Sequence, residues 1–388
     1  MPVLQGRVYI QVSAIMHITD GFESTWAEFV GSSRLIPGFS PLSEDYISGK
    51  TLLITGAGGS IGSALARFAT TCSVETLVLL DSNEHSLHAL TQCFGLSSKI
   101  PRIPVLGSIC DSTLLSELFT LYRPQIVLHA AACKHVPLME LNPLAAARTN
   151  ILGTFSLLLA ALEYGAEQLL MVSTDKAVLP VSIMGVTKRL AELLLFAYPE
   201  RALQRKVIRL GNVLGSSGSV GPLFLKQILE GGPVTVTHPN ARRFFLTLND
   251  AITLIMTALS PEYETGILIP DLGPARTVEE LAHYLITATA GQQHVDVIYT
   301  GLRPGDKLEE LLSSSSDHAL AQDGDLFATV QPKGLATRNL HAVVEQITLS
   351  VRQRNLRLLL ESICRAVPEY RPSDVVQQIV EDRSQRGL

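Results

Sequence analysis

The sequence predicts an α/β protein built on a doubly wound parallel sheet, and three observations carry this prediction. Short apolar runs alternate with helix-length segments between residue 51 and about residue 210, which is typical of βαβ units. A glycine-rich turn follows the first of these runs. Beyond residue 211, glycine and proline become denser and the alternation stops, so a smaller C-terminal α/β domain is expected there.

Six buried parallel strands are predicted, because each is a nearly continuous apolar run closed by a polar residue or a glycine. They cover residues 51–55, 76–81, 103–107, 125–129, 168–173 and 206–210. Apolar residues at helical spacing predict helices. These helices cover residues 142–163, 184–198 and 350–366.

Composition excludes several classes of function. The 388 residues, 46% of them hydrophobic, can bury a large core, and a net charge of −5 makes nucleic acid an unexpected partner. Five scattered cysteines without a C-x-x-C pair or clustered histidines indicate neither a disulfide framework nor a metal site. The longest uncharged apolar stretch, 151–162, is too short to span a membrane. A cytoplasmic protein without a signal peptide is therefore expected.

The glycine-rich turn has the pattern of a dinucleotide-binding site. Gly56 can form the tight turn, Gly59 lets backbone N–H groups approach a pyrophosphate, and Gly62 lets the following helix pack closely on the sheet. Ser60 and Ile61 begin that helix, and a helix N-terminus attracts phosphates. The sheet is therefore expected to be Rossmann-like.

An acidic residue at the end of the second strand favours NAD as the cofactor. Asp81 follows Gly62 by nineteen residues and has no Arg or Lys beside it. A carboxylate there binds the ribose hydroxyls and repels a 2′-phosphate, so NADP is disfavoured. Asp111, after the third strand, is expected to meet the adenine amino group. Ala130 and Ala131, after the fourth strand, leave space for the nicotinamide ring.

Residues able to transfer protons follow the fifth strand. Thr174, Asp175 and Lys176 come directly after it, and Lys188 lies on the next helix. They should face the nicotinamide, because ligands bind outside the carboxyl ends of parallel strands. An Asp beside a Lys provides a proton donor and a possible base. A solvated ion pair at a loop is the alternative interpretation.

Several motifs together resemble extended short-chain dehydrogenases/reductases, in particular the capsular-polysaccharide-type UDP-N-acetylglucosamine 4,6-dehydratases. The motifs are Gly56-x-x-Gly59-x-x-Gly62, His129-Ala-Ala-Ala, Ser173-Thr-Asp-Lys-Ala, Met184-Gly-Val-Thr-Lys-Arg, and the segments 134–140, 211–220, 231–239 and 300–305. Such enzymes usually carry a catalytic Tyr where this chain has Met184, and methionine cannot transfer a proton. The membrane-tethered branch of the family resembles this chain in having Met there, although its anchor helices are not expected here.

The resemblance implies a lyase with tightly bound NAD. It implies oxidation of the sugar at C4, elimination of water across C5 and C6, and return of the hydride to C6. Lys176 would remove the C5 proton, Asp175 would protonate the departing C6 hydroxyl, and Thr174 would hold the 4-oxygen. Lys188 would bind the nicotinamide ribose. Without a Tyr, the acceptor of the C4 hydroxyl proton stays open among Asp175, Lys176 and a water.

The resemblance also implies a UDP-sugar substrate, held largely by the second domain. Arg303 suits a bidentate diphosphate contact, with Arg242 as a second candidate. The remaining candidates lie after strand ends or beside the expected sugar position; they are Asn212, Lys134, His135 and Met184. His135 fits a purely structural role equally well.

We expect the chain to have four parts and to form a dimer. The parts are an N-terminal extension (1–48), an NAD-binding Rossmann domain (49–211), a nucleotide-sugar-binding domain interleaved with it (212–335) and a C-terminal helical extension (336–388). Helices 142–163 and 184–198 would pair in the dimer contact. Two other functions stay open at this point, a UDP-hexose epimerase and a catalytically silent NAD- or nucleotide-sugar-binding protein.

Overall fold

A nine-stranded sheet forms the centre of the molecule. In the computed structural model its strand order is β3-β2-β1-β4-β5-β6-β11-β15-β14. The sheet is parallel from β3 to β11 and antiparallel at β15 and β14. The structure describes residues 22–31, 41–94, 100–198, 202–289, 294–314, 317, 319–320, 326–331 and 337–385. Its strands are β1 (Thr51–Thr55), β2 (Thr76–Asp81), β3 (Arg102–Leu106), β4 (Ile126–His129), β5 (Gln168–Thr174), β6 (Gln204–Leu210), β11 (Gly266–Pro270), β14 (Ala319–Leu320) and β15 (Phe327–Val330).

Three small two-stranded sheets lie beside the large one, pairing β10 with β7, β12 with β9 and β13 with β8. Their strands are β7 (Asn212–Val213), β8 (Val234–Val236), β9 (Arg242–Arg243), β10 (Phe245–Leu246), β12 (Arg276–Thr277) and β13 (Val297–Tyr299). The helices are α1 (Glu23–Val30), α2 (Pro41–Ile47), α3 (Ser60–Ala69), α4 (Glu84–Cys93), α5 (Ser112–Tyr122), α6 (Val136–Leu141), α7 (Pro143–Ala146), α8 (Thr154–Glu163), α9 (Ile183–Ala197), α10 (Val220–Leu229), α11 (Leu248–Thr257), α12 (Val278–Thr289), α13 (Thr337–Gln353), α14 (Leu356–Ala366) and α15 (Asp374–Gln385).

The predicted α/β fold with a doubly wound parallel sheet is confirmed. All six predicted strands are present, with ends that differ from the prediction by two residues at most. The chain then returns to the same sheet after residue 211, because β11 pairs in parallel with β6 and carries β15 on its other side. The order reverses between β1 and β4, which is where such sheets bind ligands.

Helices cover both faces of the large sheet and form two hydrophobic cores. The core on one face is built mainly from α5, α8, α9, α13 and α14. The core on the other face is built from α3, α4 and α11. A third, smaller core joins α1, α10 and α12 to β8 and β10. The carboxyl ends of the parallel strands lie between these helical layers, and the candidate site is located there.

Two predicted helices are interrupted in the structure. Residues 142–163 contain a π-helix, Ala147–Gly153, between α7 and α8, and such bulges are common at functional sites. The predicted helix 350–366 is two helices, since Arg354 adopts a left-handed φ of 55° and Asn355 caps α14 by accepting a hydrogen bond from Leu358 N. Apolar periodicity runs across both interruptions, which is why the sequence predicts continuous helices.

One helical stretch in the described part of the chain, Pro143–Glu163, is long and apolar enough to cross a membrane by length and composition. The prediction from sequence considered only the uncharged residues 151–162 and so found no such stretch. In the fold, 56% of its apolar window is buried, and it packs against α5 and α9.

Candidate active site

The glycine turn between β1 and α3 is packed so tightly that it excludes side chains. Gly56 has a left-handed φ of 68°, and a Cβ there would lie 2.6 Å from the backbone N of Ala131. A Cβ on Gly62 would lie 2.0 Å from the carbonyl oxygen of Gly56. The turn therefore approaches the end of β4 by backbone alone and leaves the N-terminus of α3 free of side-chain bulk, which suits a pyrophosphate.

Asp81 at the end of β2 is held beside the glycine turn. Its Oδ2 accepts a hydrogen bond from Gly58 N at 2.8 Å, and its Oδ1 accepts one from Asn83 N at 2.8 Å. Each carboxylate oxygen has two acceptor sites, so capacity for ribose hydroxyls remains. The turn and Asp81 together fit the adenosine half of NAD.

Three of the predicted cofactor residues have additional structural roles. Asp111 caps α5, because its Oδ1 accepts hydrogen bonds from Thr113 N and Leu114 N. Ile61 packs against the second core. Ser60 Oγ accepts a hydrogen bond from Ser217 N at 2.9 Å, which joins the glycine turn to the loop after β7. Sequence spacing gave no signal for that contact.

Asp175 and Lys176 form a buried pair where β5 ends. The Asp175 side chain is fully buried, and its Oδ1 accepts hydrogen bonds from Lys176 Nζ at 2.9 Å and from Thr174 Oγ1 at 3.0 Å. Its Oδ2 is buried too, and no described residue donates a hydrogen bond to it. The alternative of a solvated surface ion pair does not fit this burial. An unpaired buried carboxylate oxygen is instead available to a bound hydroxyl.

Lys176 is surrounded by acceptors from three parts of the chain. Besides Asp175, its Nζ donates to Asn212 Oδ1 at 3.0 Å and lies 3.6 Å from Glu310 Oε1. Burial alone would lower the pKa of Lys176, but the carboxylates of Asp175 and Glu310 outweigh it and raise this pKa above its ordinary value. Lys176 is therefore positively charged at neutral pH in this arrangement.

Lys188 and Met184 occupy successive turns of α9. Lys188 is buried, with its Nζ donating to Val172 O at 2.8 Å, and burial lowers its pKa to about 8. The Met184 side chain is 3% exposed and belongs to the first core. The position at which the resemblance implies a catalytic Tyr is thus occupied by a core methionine, which has no proton to transfer.

His129 is a structural residue at the end of β4. Its ring nitrogens pair with Thr55 Oγ1 at 2.7 Å and with Thr154 Oγ1 at 2.9 Å. Burial, with the neighbouring charge of Lys188, lowers the pKa of His129 to about 3. The ring is therefore neutral at physiological pH and fixes β4 against β1 and α8.

Two polar residues at the site were not predicted from the sequence. Glu310 is 4% exposed and contacts Lys176 from a segment distant in sequence. Asn150, in the π-helix, exchanges hydrogen bonds with both backbone groups of Cys133 and also donates to Thr187 Oγ1. It fixes the segment after β4 against α9. A single Glu or Asn carries no spacing signal that would have identified either one.

The predicted substrate residues differ in how closely the structure brings them to this centre. Asn212 contacts Lys176 directly. His135 faces the loop after β7, since a Cβ on Gly218 would lie 2.4 Å from His135 Cε1, and Lys134 beside it is exposed. Arg303 is exposed and ion-paired with Asp306 at 2.8 Å. Arg242 is exposed and donates to Ala275 O.

Three features define the class of protein: the Rossmann-like sheet, the glycine turn, and the residues Thr174-Asp175-Lys176 at the end of β5. They are the features of an α/β protein of the extended short-chain dehydrogenase/reductase type. Within this class the chain belongs to the polysaccharide biosynthesis protein family, whose model matches residues 52–332.

Relatives of known name include polysaccharide and nucleotide-sugar proteins. The capsular polysaccharide biosynthesis protein CapD of Staphylococcus aureus is 40% identical over 278 residues, which are 70% of this chain and 46% of CapD. The chain thus spans about half the length of that relative. A protein named UDP-glucose 4-epimerase from Rickettsia canadensis is 35% identical over 72% of this chain and 82% of its own length.

Solved structures of related fold agree with this class. Pen from Bacillus thuringiensis superimposes with a TM-score of 0.69 at 25% identity, covering 79% of this chain and 99% of Pen. The UDP-glucose 4-epimerase of Thermus thermophilus, solved with NAD, gives a TM-score of 0.58 at 25% identity over 68% of this chain and 90% of its own.

Proposed function

We propose that this protein is an NAD-dependent 4,6-dehydratase of a UDP-hexose, with UDP-N-acetylglucosamine as the substrate. The observation that carries the proposal is the buried Asp175–Lys176 pair at the carboxyl end of β5. Elimination of water needs an acid for the leaving hydroxyl and a base for the C5 proton, and adjacent Asp and Lys side chains supply both. The family relationship with a capsular polysaccharide protein supports a sugar substrate.

Residues at the ends of β1, β2 and β4 and on α9 would form the NAD site. The glycine turn 56–62 and Asp81 would hold the adenosine and pyrophosphate, and buried Lys188 would hold the nicotinamide ribose. NAD supplies a hydride acceptor at C4 and a hydride donor at C6. Ala130 and Ala131, both only partly buried at the end of β4, leave room for a flat ring. NAD is therefore a resident group rather than a consumed substrate.

Proton transfer is assigned to three residues at the end of β5. Thr174 holds the sugar 4-oxygen, Asp175 protonates the departing C6 hydroxyl, and Lys176 removes the C5 proton, which the 4-keto group makes acidic. Lys176 must lose its own proton before it can act as this base. The contacts with Asp175 and Glu310 oppose that loss, so a proton acceptor for Lys176 is required within the site.

An epimerase is the second candidate, because a relative 35% identical over 82% of its length carries that name. A C4 epimerase needs oxidation and reduction at one carbon and no acid for a leaving group. The buried acid–base pair therefore favours the dehydratase. The catalytically silent alternative rests only on Met184.

Incubation of the purified protein with UDP-N-acetylglucosamine in deuterated water distinguishes the three functions. A dehydratase yields a product lighter by one water that carries deuterium at C5, since that proton exchanges during elimination. An epimerase yields an isomer without loss of water, and a silent protein leaves the sugar unchanged. Mass spectrometry and proton NMR read both signals. Bound NAD is expected in the purified protein, and its release by heat gives the stoichiometry.

A further inference from the structure

We propose that Glu310 is a further catalytic residue, which accepts the proton of Lys176 and so prepares it to act as the base. This inference rests on the proposed dehydration. It assigns to Glu310 a step that Asp175 cannot also perform, because Asp175 must be free to receive the proton of the C4 hydroxyl.

Glu310 contacts two lysine side chains, those of Lys176 and Lys307. Its Oε1 lies 3.6 Å from Lys176 Nζ, and its Oε2 lies 3.2 Å from Lys307 Nζ. The Glu310 side chain is only 3% exposed, and Oε2 receives no hydrogen bond from the described residues. Glu310 thus lies between two lysine side chains, with one carboxylate oxygen near the proton that Lys176 must lose.

The charged groups that face Lys176 come from three segments of the chain. Asp175 and Glu310 attract its proton, and Arg243 opposes it. Lys307 faces Glu310 from the other side. When a bound sugar excludes water from this cluster, separated charges lose solvation, so the neutral amine and carboxylic acid become easier to form.

The proton balance closes over one turnover. Lys176 gives its proton to Glu310, and Asp175 Oδ2 takes the C4 hydroxyl proton as the hydride leaves C4. Lys176 then removes the C5 proton while Asp175 protonates the C6 hydroxyl, which departs as water. The hydride returns to C6, and Lys176 protonates C5 from an ammonium group whose protons exchange with solvent. Glu310 then gives its proton back to Lys176, which restores the pair. Each side chain ends in its starting state.

The test is the pH profile of water loss by Glu310→Gln. Gln cannot accept a proton, so Lys176 must release its proton to solvent, and kcat should rise with pH. At pH 7 we expect kcat roughly 10²-fold below the wild type, with recovery at alkaline pH, whereas the wild-type profile stays flat near neutrality. Glu310→Asp keeps a carboxyl and should recover part of the neutral-pH rate. Glu309→Gln, an exposed neighbour, is the matched control.

Several outcomes would overturn the role of Glu310. A Glu310→Gln enzyme that is slower by the same factor at every pH points to a structural role, and one with the wild-type profile shows that Glu310 is dispensable. If Glu310→Gln fails to fold, a Glu310→Asp enzyme no faster at pH 7 than Lys176→Met overturns the role in the same way. Absence of water loss by the wild type would instead remove the proposed function.

A second inference concerns the N-terminal helix α1, which lies outside the residues that match the family. We infer that Trp26 is a positioning residue for nucleotide-sugar binding. It acts through the segment 214–221, called the loop below, which connects β7 to α10 and includes the first two residues of α10. Trp26 is fully buried. A Cβ on Gly215 would lie 3.1 Å from its Nε1, and a Cβ on Gly221 would lie 3.0 Å from its Cη2. The two ends of the loop thus rest on opposite edges of one indole ring.

The middle of the same loop reaches both halves of the site. Ser217 N donates to Ser60 Oγ of the glycine turn, and Gly218 lies against His135. Helix α1 is also joined to the catalytic residues through β10, because Phe29 packs on Phe245 with ring centroids 5.6 Å apart. Phe245 in turn pairs with Asn212, which is the Lys176 partner.

Tryptophan fluorescence of the wild-type protein tests this inference, because Trp26 is its single tryptophan and therefore the source of the emission. Its Nε1–H donates to no acceptor among the described residues. Because Gly215 and Gly221 lie against the indole ring, its emission should change when the loop adjusts to a ligand. We expect titration with UDP to change the emission with the Kd that calorimetry gives. Calorimetric binding without an emission change would overturn the inference, whereas no UDP binding at all would overturn the proposed function as well.

The Trp26→Ala variant separates positioning from catalysis. We expect KM for the UDP-sugar to rise about tenfold or more, because the loop loses its support, with kcat changed much less. Trp26→Phe keeps an aromatic ring and should recover most of the wild-type KM. Phe22→Ala, whose ring centroid lies 6.0 Å from that of Trp26, is the control. Unchanged KM in Trp26→Ala would contradict the positioning role.

Discussion

The Lys176→Met enzyme is expected to lose water from its substrate roughly 10²–10⁴-fold more slowly than the wild type, because the side chain that takes the C5 proton is gone. Met has a similar length and no proton to give or accept. The NAD content should stay at the wild-type value, since Lys176 contacts Asp175, Asn212 and Glu310 and not the glycine turn. The measurement is single-turnover product formation, alongside NAD released by heat.

Met184→Leu is the matched control for this prediction. It preserves volume and apolar character in a side chain that is 3% exposed, and such swaps usually cost less than about 1.5 kcal/mol. Its rate should stay close to that of the wild type, because Met184 transfers no proton. A Met184→Leu enzyme as slow as Lys176→Met, with NAD retained in both, would refute the division of roles proposed for these residues.

Interactions between neighbours in sequence were predictable. Gly56 and Gly62 follow β1, and Asp81 ends β2 at a fixed spacing from them. The turn that the glycines form depends on local steric limits that only glycine meets. The pairing of Asp175 with Lys176 was also foreseeable, because both follow one strand. The six parallel strands were found for the same reason, since each is an uninterrupted apolar run between turn residues.

Contacts that depend on tertiary packing were not predictable. Glu310 reaches Lys176 from a turn far along the chain, and Trp26 meets Gly215 and Gly221 across the third core. Strands β11 and β15 extend the main sheet, but their short apolar runs gave no sign of which sheet they join. Spacing along one chain does not encode such pairings, which arise when separate elements bury their apolar faces together.

A buried network of charged residues near the end of β5 was likewise not predicted from the sequence. Arg209 on β6 is fully buried, and its guanidinium pairs with Glu192 Oε2 at 2.8 Å and with Asp317 Oδ2 at 3.0 Å. Ser173, the residue before Thr174, donates to Glu192 Oε1 at 2.6 Å. This network therefore ties β6 and α9 to the end of β5, next to the residues Asp175 and Lys176.

Arg209→Met is expected to destabilise the protein by about 3–5 kcal/mol at neutral pH, because it leaves the buried carboxylate of Glu192 without its main partner. Burial alone would raise the pKa of Glu192, but Arg209 outweighs it and holds this pKa below its ordinary value. The native carboxylate thus adds stability above the unfolded pKa, and that contribution is lost as pH falls through the folded pKa. The difference between variant and wild type should therefore shrink on acidification.

Thermal unfolding at several pH values measures this effect, and two further variants make it specific. Lys226→Met breaks an exposed pair whose side chains are 53% and 63% exposed, and it should cost about 0–1 kcal/mol. The double variant Glu192→Gln with Arg209→Met removes both opposed charges, so it should recover part of the loss seen in Arg209→Met alone. If the double variant is no more stable than the single one at neutral pH, lost packing rather than an uncompensated charge explains the destabilisation, and the electrostatic account of this network is wrong.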